Sequence, residues 1–264
     1  MLGISNMNDS NKSVKSKGVV LFATNTDTVD YVGIAHRAER LINHYLGLPV
    51  TIIEGSKTPN RRYSVDSGRF EQWNNTGRSK AYKSSPYDQT ILLDSDYLVF
   101  DNNLLKILES NFDYKIARHN RFVDHADHTT MGKHSLPFLW ATIVVFNRTP
   151  KSQMLFDLVA RIERNYPYYC RLYNVRDTSY RNDYAFTMAD NILNGYGQDK
   201  ANYLPWPMIS VANPINSLEL RDQKLLLKVK DQAHVLPKQN LHILSKAFLM
   251  SDACERLIEA ATHA

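Results

Sequence analysis

The sequence predicts an α/β fold: a single domain with a mostly parallel central sheet and helices on both faces. Two observations predict it. Short runs of branched apolar residues alternate with longer segments whose apolar residues recur at helical spacing. A chain of 264 residues can also bury one sizeable core. No Gly-x-Gly-x-x-Gly or Walker-type loop is present, so a dinucleotide-binding fold or a phosphate-loop kinase gains no support.

The first half of the chain opens with a strand-helix-strand pattern. Residues 18–24 form a buried apolar run, residues 29–46 carry an amphipathic helical pattern, and residues 49–54 form a second run. Residues 90–93 then predict a short, fully buried strand, and residues 101–109 predict a helix. The elements expected after these are a strand at 114–117, a polar loop at 118–135, a strand at 139–146 and a helix at 149–165.

The last third is less regular. A helix is expected to begin near Tyr180 and to stop at Asn194-Gly195, which is a typical helix stop signal. Residues 224–230 and 233–236 predict an exposed hairpin, and residues 252–261 predict a final helix.

Residues 1–17 are rich in Ser, Asn and Lys, so we expect a disordered tail there and a single domain over 18–264. No apolar run approaches the ~20 residues that span a bilayer, and the opening lacks the apolar core of a signal peptide. We therefore expect a cytoplasmic protein without a membrane partner. Cys170 and Cys254 are the only cysteines and lie far apart, so a disulfide framework is not predicted.

The net charge of +5 is compatible with a polyanionic partner. Basic residues are concentrated between Lys57 and Lys83, where aromatic residues are interleaved with them. One interpretation is a functional loop that follows a phosphate backbone, and the other is a solvated surface loop. The aromatic residues are Tyr63, Phe70, Trp73 and Tyr82.

Two aspartates, Asp94 and Asp96, follow the buried run at 90–93. If the strand pleat continues, both carboxylates point to the same side, and such hard oxygen ligands suit Mg²⁺ or Mn²⁺. Asn25 and Thr26 follow the first strand and are expected at the same rim of the sheet. The spacing alone is weak evidence, and the pair can instead cap the following turn and helix.

Together these residues resemble the GT-A-fold glycosyltransferases, most closely those of large tailed phages and more distantly the glycogenin-type enzymes. The resemblance covers roughly residues 17–246 and is most specific at the Asp-x-Asp and at a late histidine, His242. Its further components are Asn25-Thr26, Arg78, the strand with Trp140, Arg181-Asn182-Asp183 and Lys246.

The resemblance implies a metal-dependent transfer of a sugar from a nucleotide sugar, most simply a UDP-sugar. Asp94, Asp96 and His242 would bind Mn²⁺ or Mg²⁺, and the histidine nitrogen favours Mn²⁺. Lys246 and Arg78 would add positive charge beside the diphosphate. The other donor contacts would be Asn25, Thr26 and Ser95. A histidine without this context would more simply be structural.

On the acceptor side the resemblance places Asp183 as the catalytic carboxylate. It would be the general base of an inverting reaction, or would position the acceptor in a retaining one. At the start of a helix an acidic residue also has a purely structural explanation. Trp140, Arg181 and Asn182 would contact the acceptor, although a tryptophan opening a buried strand is equally a core residue.

The phage resemblance implies a hydroxymethylated pyrimidine in duplex DNA as the acceptor, in a host cytoplasm. A glycan or protein acceptor, a non-catalytic nucleotide-sugar-binding protein and a nucleotidyltransferase are the alternatives. A further loop carries His119, His125, His128 and His134. It is interpreted as a lid that excludes water, with a zinc site as the alternative. The sequence leaves the donor, the stereochemistry and the oligomeric state open.

Overall fold

The structure is a computed structural model that describes residues 15–56, 62–64, 69–71, 77–126, 130–131, 136–175, 179–197 and 200–263. Most of the predicted tail and much of the basic, aromatic segment lie outside the described residues. Of the segment interpreted as a tail, residues 15–17 are described: Lys17 begins the first strand, and the Ser16 hydroxyl donates to Asp88 (2.9 Å). None of the described helices combines the length and the apolar character of a membrane span.

The helices and strands follow the predicted order, with additional short strands. In the first half they are β1 (Lys17–Ala23), α1 (Tyr31–Leu46), β2 (Val50–Glu54), β3 (Arg62–Ser64), β4 (Arg69–Glu71), α2 (Ala81–Ser84), β5 (Gln89–Leu93), β6 (Tyr97–Leu98), α3 (Asn103–Leu108), β7 (Tyr114–Ala117), β8 (Asn120–Phe122) and β9 (Thr130–Met131).

The second half begins with β10 (Leu136–Pro137), β11 (Trp140–Asn147), α4 (Pro150–Arg164), α5 (Tyr166–Leu172) and α6 (Asn182–Leu193). It continues with β12 (Met208–Val211), β13 (Ile215–Arg221), β14 (Lys224–Val229), β15 (Gln232–Pro237), β16 (Leu241–Ile243), α7 (Lys246–Leu249) and α8 (Asp252–His263). Single turns of 3-10 helix lie at Arg78–Lys80 and Lys200–Asn202.

The central sheet has five strands in the order β2-β1-β5-β11-β7. β1 is parallel to β2 and β5, whereas β11 is antiparallel to both of its neighbours. The sheet is therefore mixed, with only β11 reversed. Because of this reversal, Trp140 at the start of β11 pairs with Ala117 at the carboxyl end of β7. The start of β11 thus joins the rim where β1 and β5 end.

The core lies on both faces of this sheet, since every residue of β5 and β11 is buried. Helix α1 packs against β1, β2 and α8, and helix α4 packs against α6. Asp30 caps α1 by accepting from the Gly33 amide (3.0 Å), and Gly47 ends it with a positive φ of 62°. The prediction of an α/β domain with covered sheet faces is confirmed.

A second, four-stranded sheet has the order β6-β16-β12-β8. The sequence did not predict it, because β6 and β8 are only two and three residues long. The interpretation of residues 118–135 as a loop is accordingly wrong at β8 and β9. This small sheet connects the segment after Asp96 with the segment that contains His242, because β6 and β16 are paired.

Two other regions differ from the predictions. The exposed hairpin is part of a three-stranded antiparallel sheet, β13-β14-β15, whose first strand was missed. Alternation in β13 is interrupted by a register shift between Ile215 and Ser217, which weakens its sequence pattern. In the basic segment, β3 and β4 form an antiparallel pair where a patternless loop was expected.

Candidate functional site

The two aspartates sit on a turn that directly follows the central strand β5. The Tyr97 amide donates to the Asp94 carbonyl (3.1 Å), so the chain turns and the strand pleat does not continue. The predicted reason for their proximity is therefore wrong, although their carboxylates do come together. Ligand atoms of Asp94, Asp96 and His242 all lie within 4.8 Å of one another.

His242 reaches the aspartates through the small sheet. It lies in β16 opposite Tyr97 of β6, and the Ile243 amide donates to the carbonyl of Asp96 (3.0 Å). Backbone pairing beside the turn therefore fixes the histidine next to the carboxylates. Its Nε2 lies 3.5 Å from Oδ1 of Asp96.

The capping interpretation of the aspartate pair does not describe this arrangement. Asn103 is the first residue of α3, and its backbone amide donates to Oδ1 of Asp101 (2.9 Å) and not to Asp94 or Asp96. Asp94 and Asp96 instead face cationic side chains, Arg78 and Lys246 respectively.

Asp96 is a buried carboxylate, with 8% of its surface exposed. Burial alone would raise its pKa, but Lys246 and His242 outweigh that effect and hold the pKa below its ordinary value. Burial likewise opposes the charge of Lys246, and Asp96 raises the Lys246 pKa above its ordinary value. Asp96 and Lys246 are therefore a charged pair at neutral pH.

Arg78 lies on the other side of the turn and contacts Asp94. It is 5% exposed, and its Nε and Nη2 have no hydrogen-bond partner within the described part of the chain. Burial lowers the pKa of Arg78 to about 10, although Asp183 and Asp96 act in the opposite direction. Buried guanidinium donors without partners are unfavourable, so this site suits an added anionic group.

A polar cavity of about 350 Å³ opens beside these residues. Asp94 and Arg78 border it together with Asn182, which begins α6. Its other wall comes from the ends of β1 and β2 and from α4. The remaining lining residues are Phe22, Thr24, Ile53, Glu54, Gly55, Ser56, Gly77, Lys80, Ser84 and Glu163.

The three clustered ligand residues fit a divalent metal. Oδ1 of Asp96 is buried and has no hydrogen-bond partner among the described residues, and it faces the His242 nitrogen. Two carboxylates and an imidazole make a donor set suited to Mn²⁺.

The ring of His242 is oriented by a hydrogen-bonded pair, Ser210 and Asn120, on its Nδ1 side. The Ser210 hydroxyl donates to Oδ1 of Asn120 (2.8 Å) and lies 3.1 Å from Nδ1 of His242. Since its hydrogen is used by Asn120, Ser210 accepts from Nδ1–H in this amide orientation. In a neutral imidazole, Nε2 is then the nitrogen without a hydrogen, which is the form that binds a metal.

Replacing Ser210 by alanine should weaken metal binding without unfolding the protein. We expect the dissociation constant for Mn²⁺ to rise about tenfold, because the imidazole loses the partner that fixes its tautomer. Titration with Mn²⁺ measures this. The matched control is Ser110→Ala, which removes a hydroxyl that donates to the Ile107 carbonyl at the end of α3 (2.8 Å). Equal Mn²⁺ affinities of the two variants would show that Ser210 does not orient His242.

Asp124 forms hydrogen bonds to the backbone that follows β12, a strand of the small sheet that carries His242. Its carboxylate accepts from the amides of Ala212 (3.1 Å) and Asn213 (2.6 Å), just after β12. Burial would raise its pKa, but these backbone donors outweigh it and lower the pKa below the ordinary value. The ionised carboxylate therefore stabilises the fold.

Asp124→Asn should lower the free energy of unfolding by about 1.5 kcal/mol at neutral pH. A depressed pKa stabilises the folded state above the unfolded value near pH ~4 and ceases to do so as the pH falls. The difference between the two proteins should thus shrink in acid. Urea unfolding between pH ~3 and ~7 measures it. A difference that does not change with pH would rule out the ionic contribution.

The predicted acceptor residues lie along the start of α6 and β11. Oδ1 of Asp183 accepts from the Ala141 amide (2.8 Å), so the carboxylate ties α6 to the rim of the sheet. Asn182 accepts from the Tyr180 hydroxyl (3.2 Å), and Arg181 lies over the Tyr184 ring (5.2 Å). Trp140 is 7% exposed and packs edge-on against Phe138, which agrees with a core position. A contact of these residues with an acceptor stays a prediction.

Asn25 and Thr26 shape the loop between β1 and α1. Oδ1 of Asn25 accepts from the Val32 amide (2.9 Å), and the Thr26 hydroxyl accepts from the Val29 amide (3.1 Å). Neither borders the cavity, whereas the preceding Thr24 does. Ser95 is buried within the aspartate turn. Their contact with a donor also stays a prediction.

Sequence reasoning missed several residues at this site. Glu163 of α4 accepts from the Ser79 hydroxyl (2.7 Å) and so anchors the turn that carries Arg78. In the sequence it is one acidic residue on a helix, and nothing there signals its partner. Ser210 could have been found only from the pairing of β12 with β16.

Part of the histidine loop is fixed by the small sheet. Phe122 stacks on His125 with ring centroids 3.9 Å apart, and the Val123 amide donates to the Ser210 carbonyl (2.9 Å). His128 and His134 lie outside the described residues. Of the residues that the structure describes, Asp94, Asp96 and His242 form the metal-compatible cluster.

No family model matches the chain, and no curated protein matches it. Solved structures do show similarity. The galactosyltransferase LgtC, solved with donor and acceptor sugar analogs, is 13% identical with a TM-score of 0.46, over 93% of this chain and 95% of its own. The glycosyltransferase GlyE of Streptococcus pneumoniae TIGR4 is 14% identical with a TM-score of 0.39, over 71% of this chain.

This chain spans only 44% of the length of the GlyE chain. A different transferase, the inositol-1-phosphate CTP transferase of T. maritima, is 11% identical with a TM-score of 0.39, over 95% of this chain and 98% of its own. All three TM-scores lie below 0.5.

Proposed function

We propose that the protein is a metal-dependent glycosyltransferase that moves a sugar from a nucleotide-sugar donor to an acceptor hydroxyl. One observation carries the proposal. A buried carboxylate oxygen of Asp96 has no hydrogen-bond partner among the described residues and faces Nε2 of His242, beside a second carboxylate and an unpaired guanidinium edge. Such a site combines a place for a divalent cation with a place for a diphosphate.

Asp94, Asp96 and His242 would hold Mn²⁺ or Mg²⁺, which supplies positive charge to offset the departing diphosphate. The chain adds charge of its own. The buried, unpaired Nε and Nη2 of Arg78 are proposed as donors to a phosphate oxygen, and Lys246 carries an ammonium beside Asp96. Both cations are fixed before a donor arrives, so little reorganisation is needed when charge develops on the leaving group.

Asp183 is proposed to receive the acceptor. The Ala141 amide orients its Oδ1. Its negative charge favours the charged form of Arg78, which borders the cavity of about 350 Å³. In an inverting reaction the carboxylate would take the proton of the acceptor hydroxyl. In a retaining reaction it would hold that hydroxyl in place. We propose that the acceptor also contacts three residues near Asp183, namely Asn182, Arg181 and Trp140.

The finer proposal for the acceptor is a hydroxymethylated pyrimidine in phage DNA, and it rests on the sequence resemblance and on the basic segment alone. An enzyme that acts on a base in duplex DNA must extrude that base, and its binding must weaken with salt. Fluorescence anisotropy with a hydroxymethylcytosine duplex at low and high salt tests this. Absence of binding at low salt would exclude duplex DNA as the acceptor and favour a glycan or protein acceptor.

The proposed activity is tested by incubating the protein with a panel of nucleotide sugars, with Mn²⁺ or with a chelator. We expect one donor to raise the melting temperature in Mn²⁺ and to be hydrolysed slowly, so that its sugar passes to water and its nucleoside diphosphate is released, with both effects lost in chelator. Stabilisation without any diphosphate release would indicate a non-catalytic nucleotide-sugar-binding protein. Release of inorganic pyrophosphate from a nucleoside triphosphate would indicate a nucleotidyltransferase.

A further inference from the structure

A second polar cavity lies at the opposite end of the central sheet from the aspartate turn. Its volume is about 340 Å³, and Asn147 at the end of β11 borders it. Asn147 pairs with Gln89, the first residue of β5, whereas Asp94 follows the last residue of that strand. The two cavities are therefore separated by the length of the sheet, and none of the described residues lines both.

Positive charge dominates the lining of this second cavity. Lys15, Lys115 and Lys151 border it, and Asp113 is the one acidic residue among the described residues of its lining. Lys115 donates to the Ala201 carbonyl (2.7 Å), which fixes its ammonium near the cavity. Lys151 lies 5.7 Å from the centroid of the Tyr114 ring. Asp88 interacts with Lys15 but does not border the cavity.

Helix α4 begins at the same place. Thr149 borders the cavity and caps the 15-residue helix by accepting from the Ser152 amide (3.2 Å). The first turn of a helix carries a partial positive charge, which adds to the charge of the lysines.

Asn202 supplies an independent observation. It borders the cavity and is only 6% exposed, yet its Nδ2 has no hydrogen-bond partner within the described residues. A buried amide donor is rarely left unpaired in a folded protein. An acceptor group bound in the cavity would satisfy it once the Asn202 amide rotates toward the cavity.

We propose that this cavity binds the phosphate group of a small molecule, at a second ligand site separate from the metal cluster. The lining lysines exceed the acidic residues by two charges, which matches a phosphate dianion. Lysine binds phosphate as a point charge, and the amide of Asn202 adds a directed donor. The cavity volume lies within the range of small-molecule sites, so the phosphate can carry an organic group.

The test compares phosphate binding by two double variants of equal net charge. Lys115→Gln with Lys151→Gln removes two ammonium groups from the cavity, and Lys224→Gln with Lys228→Gln removes two exposed ones from β14. Inorganic phosphate and ribose 5-phosphate are titrated against each protein at constant ionic strength in chelator, and the melting temperature is followed. We expect the cavity variant to bind at least about tenfold more weakly than the control.

Asn202→Leu is the second variant, since it removes the unpaired donor and no charge. It should weaken phosphate binding while the protein stays folded. Tighter binding of ribose 5-phosphate than of phosphate would identify a phosphate ester as the ligand, and equal binding would identify free phosphate. If the cavity variant and the β14 control bind phosphate equally, phosphate binds elsewhere, for example at Arg78, and the proposal is overturned. Because Asp96→Asn leaves this cavity intact, the outcome is independent of the proposed transferase activity.

Discussion

Asp96→Asn should reduce the rate of diphosphate release from the nucleotide sugar by about 1,000-fold. The amide keeps the size of the carboxylate but removes the charge that Lys246 and His242 face. A metal would lose a buried carboxylate ligand, and the Lys246 ammonium would lose its partner. Release of nucleoside diphosphate under saturating Mn²⁺, measured against time, gives the rate.

The matched control is Asp231→Asn, because Asp231 lies exposed in the turn between β14 and β15. It should retain the full rate. If Asp96→Asn lowers the melting temperature strongly, the half-exposed Asp94 provides the second variant, Asp94→Asn. Full activity in both variants would mean that the aspartate turn does not take part in the reaction.

Phe146→Ala should lower the free energy of unfolding by about 3–5 kcal/mol. Phe146 is fully buried in β11, and its ring lies 4.8 Å from that of Phe156 in α4 and 5.9 Å from that of Tyr82. The substitution leaves a cavity between the sheet and α4. Those elements position the cluster, because the Thr142 carbonyl of β11 accepts from the Asp94 amide (3.0 Å).

Urea unfolding monitored by circular dichroism measures the effect. Met154→Ala on the exposed side of α4 is the control, since 55% of that side chain is exposed and its loss should cost less than about 1 kcal/mol. A loss of similar size in both variants would show that the interface between β11 and α4 is not the centre of the core.

The sequence predicted the central sheet well because its strands carry strong apolar runs. Residues 90–93 and 139–146 are almost uninterrupted apolar segments, and the structure places both within fully buried strands, β5 and β11. The reversed direction of β11 could not be predicted, since an apolar run contains no information on orientation. That reversal is what brings Trp140 and the Ala141 amide to the rim.

The residues of the candidate site that belong to a short sequence motif could be predicted. Those whose position depends on the pairing of distant strands could not. Asp94 and Asp96 stand out because they follow a buried run, but the turn that joins them has no strong signal in Asp94-Ser95-Asp96-Tyr97. His242 was assigned through the family resemblance. Its actual position depends on pairing between β6 and β16, which are too short for a periodic pattern.

Contacts between distant side chains were the least predictable. The unpaired Nε and Nη2 of Arg78 follow from its burial behind the aspartate turn, which no local sequence pattern encodes. The same holds for Asn202, whose neighbours at the second cavity come from α4, β7 and the chain start. In both cases the sequence shows only an ordinary polar residue.

Asp94, Asp96 and His242 are proposed to hold one divalent metal, which would supply positive charge to the diphosphate of the donor. Pulsed electron paramagnetic resonance of the protein loaded with Mn²⁺ and UDP tests it most directly. We predict a nitrogen coupling from His242 and a phosphorus coupling from UDP on the same metal, with the nitrogen coupling lost in His242→Ala. A bound Mn²⁺ that shows neither coupling, or a nitrogen coupling that persists in His242→Ala, would contradict it.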